Sequence, residues 1–117
     1  MYNGKSIPNQ KNADFQLIYR KGKSVANRQF VVYTYETQTL THFRLGISVS
    51  KKLGNAVTRN RIKRSIRECF KVHKEDILPK DIIVIARFPA KTMSTAEIQK
   101  SLEHVLKIAK VFNKRIK

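Results

Sequence analysis

Between residues 51 and 68 the chain reads KKLGNAVTRNRIKRSIRE, with seven basic side chains (Lys51, Lys52, Arg59, Arg61, Lys63, Arg64 and Arg67) against one carboxylate, Glu68. Guanidinium and ammonium groups at this density bind phosphate; they do not by themselves make or break covalent bonds. Asn60, set between two arginines, offers both a donor and an acceptor, which suits a base edge, a ribose hydroxyl, a metal-bound water or plain solvent. A protein-borne hydrolytic centre would need paired carboxylates, a nucleophile with its base, or an acidic metal cluster. The sequence shows none of these: Glu75 and Asp76 read as a helix-end or loop pair, and His42, His73 and His104 lie about thirty residues apart, without zinc spacing. The sequence therefore assigns no catalytic residue to the protein and points to no particular metal ligand.

Aromatic side chains add a second kind of chemistry. Phe15, Tyr19, Tyr33 and Tyr35 fall on elements expected to build a helix and a sheet, and unpaired bases stack on such rings. Taken singly, each is more simply a core residue.

The elements that must hold these groups can be read from periodicity. NADFQLIYRKG (12–22) has a capping residue, an acid in the first turn and Phe15, Ile18 and Tyr19 at helical spacing before Gly22. QFVVYTYE (29–36) is β-branched and aromatic, while HFRLGISVS (42–50) alternates Phe43, Leu45, Ile47 and Val49 with Arg44, Gly46, Ser48 and Ser50. These two stretches are expected to pair antiparallel through TQTLT, and the small, polar face around Ser48 leaves a shallow trough. Asn55 is expected to cap a helix running to about His73, with Ile62, Ser65, Ile66, Cys69, Phe70 and His73 on one arc and the cations on the other, Arg59 lying at the edge. DIIVIARF (81–88) reads as a strand buried on both faces, and Ser94 with Glu97 as a capping box that opens a long C-terminal helix.

Composition bounds the function. The chain has 117 residues and a formal charge of +17, from 25 Lys and Arg against 8 Asp and Glu. That is the size of one domain, 1–117, whose first ten residues form a loosely ordered arm, and the charge points to a nucleic-acid partner. The longest purely apolar run, Ile82–Ala86, is five residues, and the N-terminus lacks a secretory apolar stretch. One cysteine, Cys69, allows no internal disulfide. A cytoplasmic protein with no membrane partner is expected. DNA is not expected either, because the basic helix follows a strand and loop rather than a helix and tight turn.

Residues 43–68, FRLGISVSKKLGNAVTRNRIKRSIRE, closely resemble the signature of the protein component of bacterial ribonuclease P, with its RNR sequence at Arg59, Asn60 and Arg61. NADF, GKSVANRQFVVYT (22–34) and DIIVIARFPA (81–90) are similar to the corresponding stretches, so the resemblance spans about residues 11–117. It implies an α+β fold, an α/β sandwich with a left-handed βαβ crossover around the basic helix. It also implies an accessory role: a large catalytic RNA, with Mg²⁺, hydrolyses precursor tRNA at the mature 5′ end, and the protein assists. By matching position, Lys51, Lys52, Arg59, Asn60, Arg61, Lys63, Arg64 and Arg67 would face ribonuclease P RNA. Phe15, Tyr19, Tyr33 and Ser48 would line a cleft for the single-stranded 5′ leader of precursor tRNA.

Two departures stand out. MYNGKSIPNQ lacks the basic run the family usually carries before the first helix, which argues against an N-terminal RNA contact. Phe88, before Pro89, is expected to pack. On charge and fold alone the rival reading is a ribosomal or chaperone-like RNA-binding module with no enzymatic role.

Overall fold

The computed structural model of the chain describes residues 5–6, 12–36 and 41–113, with side chains described from residue 16 onward. The element order is β1 (Lys5–Ser6), α1 (Asn12–Lys21), β2 (Lys23–Ala26), β3 (Phe30–Glu36), β4 (Arg44–Ser48), α2 (Ala56–Val72), β5 (Lys80–Ala86) and α3 (Thr95–Ile108). Short 3₁₀ turns cover Lys51–Leu53, Lys74–Asp76 and Phe88–Thr92. The mixed α+β class is as expected from the sequence.

Strand pairing is where the expectation fails. The sheet runs β1-β4-β5-β3-β2, so β3 and β4 are not partners: β5 lies between them, antiparallel to β3 and parallel to β4. The reason is the near-continuous apolar run of β5. Ile82, Ile83 and Val84 are fully buried, and only the middle of the sheet covers both faces of a strand. With β4 and β5 adjacent and parallel, α2 becomes the crossover between them. Within the N-terminal arm, Lys5–Ser6 pairs parallel with Arg44–Leu45; the remainder of the arm, like residues 37–40 of the TQTLT link, lies outside the described residues.

The strand β2 has no apolar alternation to announce it and is held by its turn. Asn27 Oδ1 accepts from the backbone N–H groups of Gln29 (3.1 Å) and Phe30 (2.8 Å), and its Nδ2 donates to the carbonyl and hydroxyl of Ser101 on α3, both at 2.9 Å. Such an Asx turn fixes the hairpin locally and ties it to α3. Gly22 joins α1 to β2 at a point where a Cβ would lie 2.5 Å from the carbonyl oxygens of both Ile18 and Thr34. Only glycine lets the helix end this close to the sheet.

The two faces of the sheet are covered unequally. Phe30, Val32, Leu45, Ile82 and Val84 pack against Ile62, Ile66, Cys69 and Phe70 of α2 and Ile98, Leu102, Val105 and Leu106 of α3. Phe43 and Phe70 close this core with their ring centroids 5.6 Å apart. Among the described residues the opposite face is met by α1, through Ile18 on Ile83, with Tyr33, Tyr35 and Ile85 around them, and Val31, Tyr33, Ile85 and Ser48 on it stay half-buried.

Local signals behave as read. Asn55 caps α2, its side chain accepting from the Thr58 N–H at 3.0 Å. Ser94 and Glu97 form the reciprocal capping box of α3; the Ser94 backbone N–H first, and its side-chain hydroxyl second, hold the Glu97 carboxyl below the usual glutamate value. Cys69 is fully buried; burial first, and the nearby Glu103 carboxylate second, push its thiol up to about 12. A thiol in that state holds almost no thiolate at pH 8. Native protein is therefore expected to resist a chromogenic disulfide reagent at pH 8 and to react stoichiometrically once unfolded in urea. Fast reaction of the folded protein would contradict the burial of this side chain.

Candidate nucleic-acid interface

The basic segment begins at the end of β4. The 3₁₀ turn Lys51–Leu53 is anchored by the buried Leu53, leaving Lys51 and Lys52 exposed. Gly54 then turns the chain at φ 130°, a region that side chains rarely adopt, and Asn55 caps the helix. The Gly-Asn pair thus lets two lysines stand at the helix entrance, where unpaired N–H groups and the helix dipole also favour anions.

Along α2, Asn60, Arg64, Arg67 and Lys71 are exposed at spacings of four, three and four, which places them in one stripe. Lys63 is half-buried beside it. Arg59 is half-buried too, and its Nε donates to the Gly54 carbonyl at 3.2 Å, as its edge position suggests. Arg61 differs from the sequence reading. It is half-buried, and its guanidinium donates to the carbonyls of Met93 (2.8 Å) and Lys91 (3.0 Å). The helical wheel puts it among the outward cations, yet α2 lies against the Phe88–Thr92 turn, and two carbonyls there take its fork.

The open face of the sheet carries the second set of residues. Tyr19 of α1 stands edge-to-face on Tyr33 of β3, with centroids 4.9 Å apart and planes at 81°. Tyr19 is 37% exposed and Tyr33 half-buried. Partial burial, and then the neighbouring Tyr33, push the Tyr19 phenol above its ordinary value, so it presents no negative charge to a phosphate chain at neutral pH.

The strand registers define the floor beside this pair. One rung runs Tyr33–Ile83–Gly46 and the next Val31–Ile85–Ser48. Side-chain bulk falls away from β3 to β4 along these rungs, as expected from the small face of β4; Ile83 and Gly46 are buried and Ser48 is half-buried at the β4 end. Phe15 lies on α1, but its side chain is outside the described residues. Three residues after Ser48 the chain reaches Lys51. The basic loop and the trough are therefore joined at one end of the sheet, although α1 and α2 cover opposite faces.

A further rung, Tyr35–Asp81–Arg44, carries an ion pair that the sequence reading missed. Arg44 Nε and Nη2 donate to Asp81 Oδ1 (2.6 Å) and Oδ2 (2.9 Å), and the Asp81 side chain is 3% exposed. An arginine on a polar strand face was the only local signal; its partner lies 37 residues away and is set by the β4–β5 register.

The expectation that Phe88 packs is overturned: it is 61% exposed. Pro89 is the second residue of the 3₁₀ turn Phe88–Thr92, and the buried Ala90 takes the inward position. In a 3₁₀ turn residues three apart eclipse, so Phe88 and Lys91 share the outer side, with Lys91 Nζ 5.5 Å from the ring centroid. Among the described residues no three His, Cys, Asp or Glu side chains converge as a metal site, and no helix is long and apolar enough to cross a membrane.

The chain matches the Ribonuclease P family over residues 9–110. It is 79% identical over 108 residues to the ribonuclease P protein component of Staphylococcus epidermidis, covering 92% of this chain and 94% of that one. The solved RNase P protein of Staphylococcus aureus superposes with a TM-score of 0.89 at 73% identity, covering 95% of this chain and 100% of that one. The RNase P protein of Thermotoga maritima superposes at 0.78 with 33% identity, covering 89% and 96%.

Proposed function

Because the chain belongs to the ribonuclease P protein family, the protein component of an RNA–protein endoribonuclease that processes tRNA 5′ ends, we propose that its two surfaces divide the RNA between them. Family membership decides against the ribosomal or chaperone-like module that charge alone allowed. A ribonuclease P RNA is the protein's partner. In this division of labour the stripe Asn60, Arg64 and Arg67, with Lys63, Arg59 and the entrance lysines Lys51 and Lys52, holds that RNA mainly by phosphate and sugar. Arg61 acts chiefly from within, by fixing the turn beside the stripe, and its remaining donors serve the same RNA.

The trough takes the single-stranded 5′ leader of precursor tRNA, with Tyr19, Tyr33 and Phe15 stacking on bases and Ser48 at the rim. The observation that supports this most directly is the half-open Tyr19–Tyr33 pair on the sheet face that β4 lines with the small residues Gly46 and Ser48. Stacking is tolerant of sequence, so the protein favours precursor over leaderless product without reading one leader. Mg²⁺ resides with the catalytic RNA and supplies the hydrolytic chemistry there. The protein's cations reduce the Mg²⁺ needed by neutralising phosphate. The setting for this work is the cytoplasm.

The test is cleavage of leader-bearing precursor tRNA by ribonuclease P RNA across a Mg²⁺ series, with and without protein. Wild-type protein should shift the series to lower Mg²⁺. A Tyr19→Leu/Tyr33→Leu variant should retain that shift but lose about 5- to 30-fold of the preference for precursor over mature tRNA, from one to two units of base stacking. An unchanged preference would remove the leader from the trough.

A further inference from the structure

We propose that Phe88 and Lys91 form a base-stacking platform for an unpaired nucleotide of the catalytic RNA, outside both the α2 stripe and the trough. The ring is 61% exposed on a rigid support. Arg61 holds the carbonyls of Lys91 and Met93, the Arg87 N–H donates to the Gln29 carbonyl at 2.8 Å, and Arg87 Nη1 donates to the Asn27 carbonyl at 3.1 Å. Ala90 is fully buried beneath the turn. A large apolar side chain displayed on so firmly held a turn costs exposed apolar surface, which covering it with a base would recover.

The surroundings select the occupant. Lys91 sits 5.5 Å from the ring centroid, and Arg87, Lys51 and Lys52 are exposed on the same chain segments or on the 3₁₀ turn that packs beside them. An aromatic ring flanked by cations stacks a base while its neighbours take the adjoining phosphates. An apolar protein partner would have to desolvate those charges. The platform is linked through Arg61 to the helix bearing the stripe and lies beside the entrance lysines Lys51 and Lys52, and so it is assigned to the catalytic RNA rather than to the leader. It rests on the reading that α2 faces that RNA.

The experiment is binding of ribonuclease P RNA, without substrate, across a salt series, for the wild type and for Phe88→Ala, Phe88→Trp and Arg64→Ala. Because the ring is exposed, thermal unfolding of Phe88→Ala should match wild type. Phe88→Ala should bind about 5- to 30-fold more weakly at every salt concentration with an unchanged salt slope. Phe88→Trp should keep the affinity, and its indole, introduced into a chain with no tryptophan, should be quenched on binding. Arg64→Ala should flatten the salt slope.

If Phe88→Ala binds like wild type while Arg64→Ala weakens binding, the platform is overturned and the α2 reading stands. If Phe88→Ala alone weakens binding, the platform stands and the α2 reading falls. An effect of Phe88→Ala confined to the preference for precursor over mature tRNA would put a leader base on the ring and overturn the assignment to the catalytic RNA.

Discussion

Replacing Arg44 by methionine is expected to destabilise the fold by about 3 kcal/mol, a large share of the roughly 5–15 kcal/mol of a typical domain. The size of the effect comes from what is left behind. Asp81 is 3% exposed and its two oxygens accept from the Arg44 fork at 2.6 and 2.9 Å. Without the arginine, a carboxylate remains in the floor of the sheet with its charge uncompensated, and the rung beside it is built from Tyr33 and Ile83. Urea unfolding of the Arg44→Met variant measures the loss. The double variant Arg44→Met/Asp81→Leu should recover most of it, because replacing both members of a buried pair by apolar groups is often neutral. A loss below about 1 kcal/mol in the single variant would mean that the pair behaves as an exposed bridge. The recovered double variant would then report whether this end of the trough needs charge: its stability is restored, so any change in preference for precursor over mature tRNA belongs to the leader site.

Arg64→Ala/Arg67→Ala should weaken binding of the catalytic RNA about 20- to 30-fold near 0.15 M salt, and reduce the slope of log affinity against log salt by about 1.5. Each phosphate contact releases condensed counterion, worth about five-fold in affinity at that salt concentration. Both side chains are exposed, so thermal stability should hardly move. Lys107→Ala, which removes an exposed cation from α3, is the control: it lowers net charge by one without touching the stripe and should leave both affinity and slope near wild type. If the control variant and the stripe variants weaken binding equally per charge, long-range attraction of the +17 chain, and not the α2 stripe, carries the affinity.

The chain's own order of residues determined everything whose cause lies within a few positions. Asn55 and Thr58, or Ser94 and Glu97, satisfy backbone groups three residues apart, so both helix starts are legible. The buried face of α2 follows from its period, and the exposed stripe from what is left. The alternation Phe43-Leu45 against Arg44-Gly46 describes the trough's small wall whichever strand lies beside it. The motif around Arg59, Asn60 and Arg61 is contiguous, and the family could be read from it directly.

Only the tertiary structure decided pairings between distant segments. A strand's backbone bonds equally well to either neighbour, so nothing local says that β5 must separate β3 from β4. That order follows from burying both faces of Ile82–Ile85 and from the length of helix needed to join parallel strands. Arg44 meets Asp81 because of that order. Arg61 turns from a surface cation into a strut because a turn thirty residues away offers two carbonyls. Phe88 faces water because Ala90 of the same turn takes the inward place. In each case the side chain's type was visible in the sequence, while its partner was chosen by whichever segment the packed sheet brought against it.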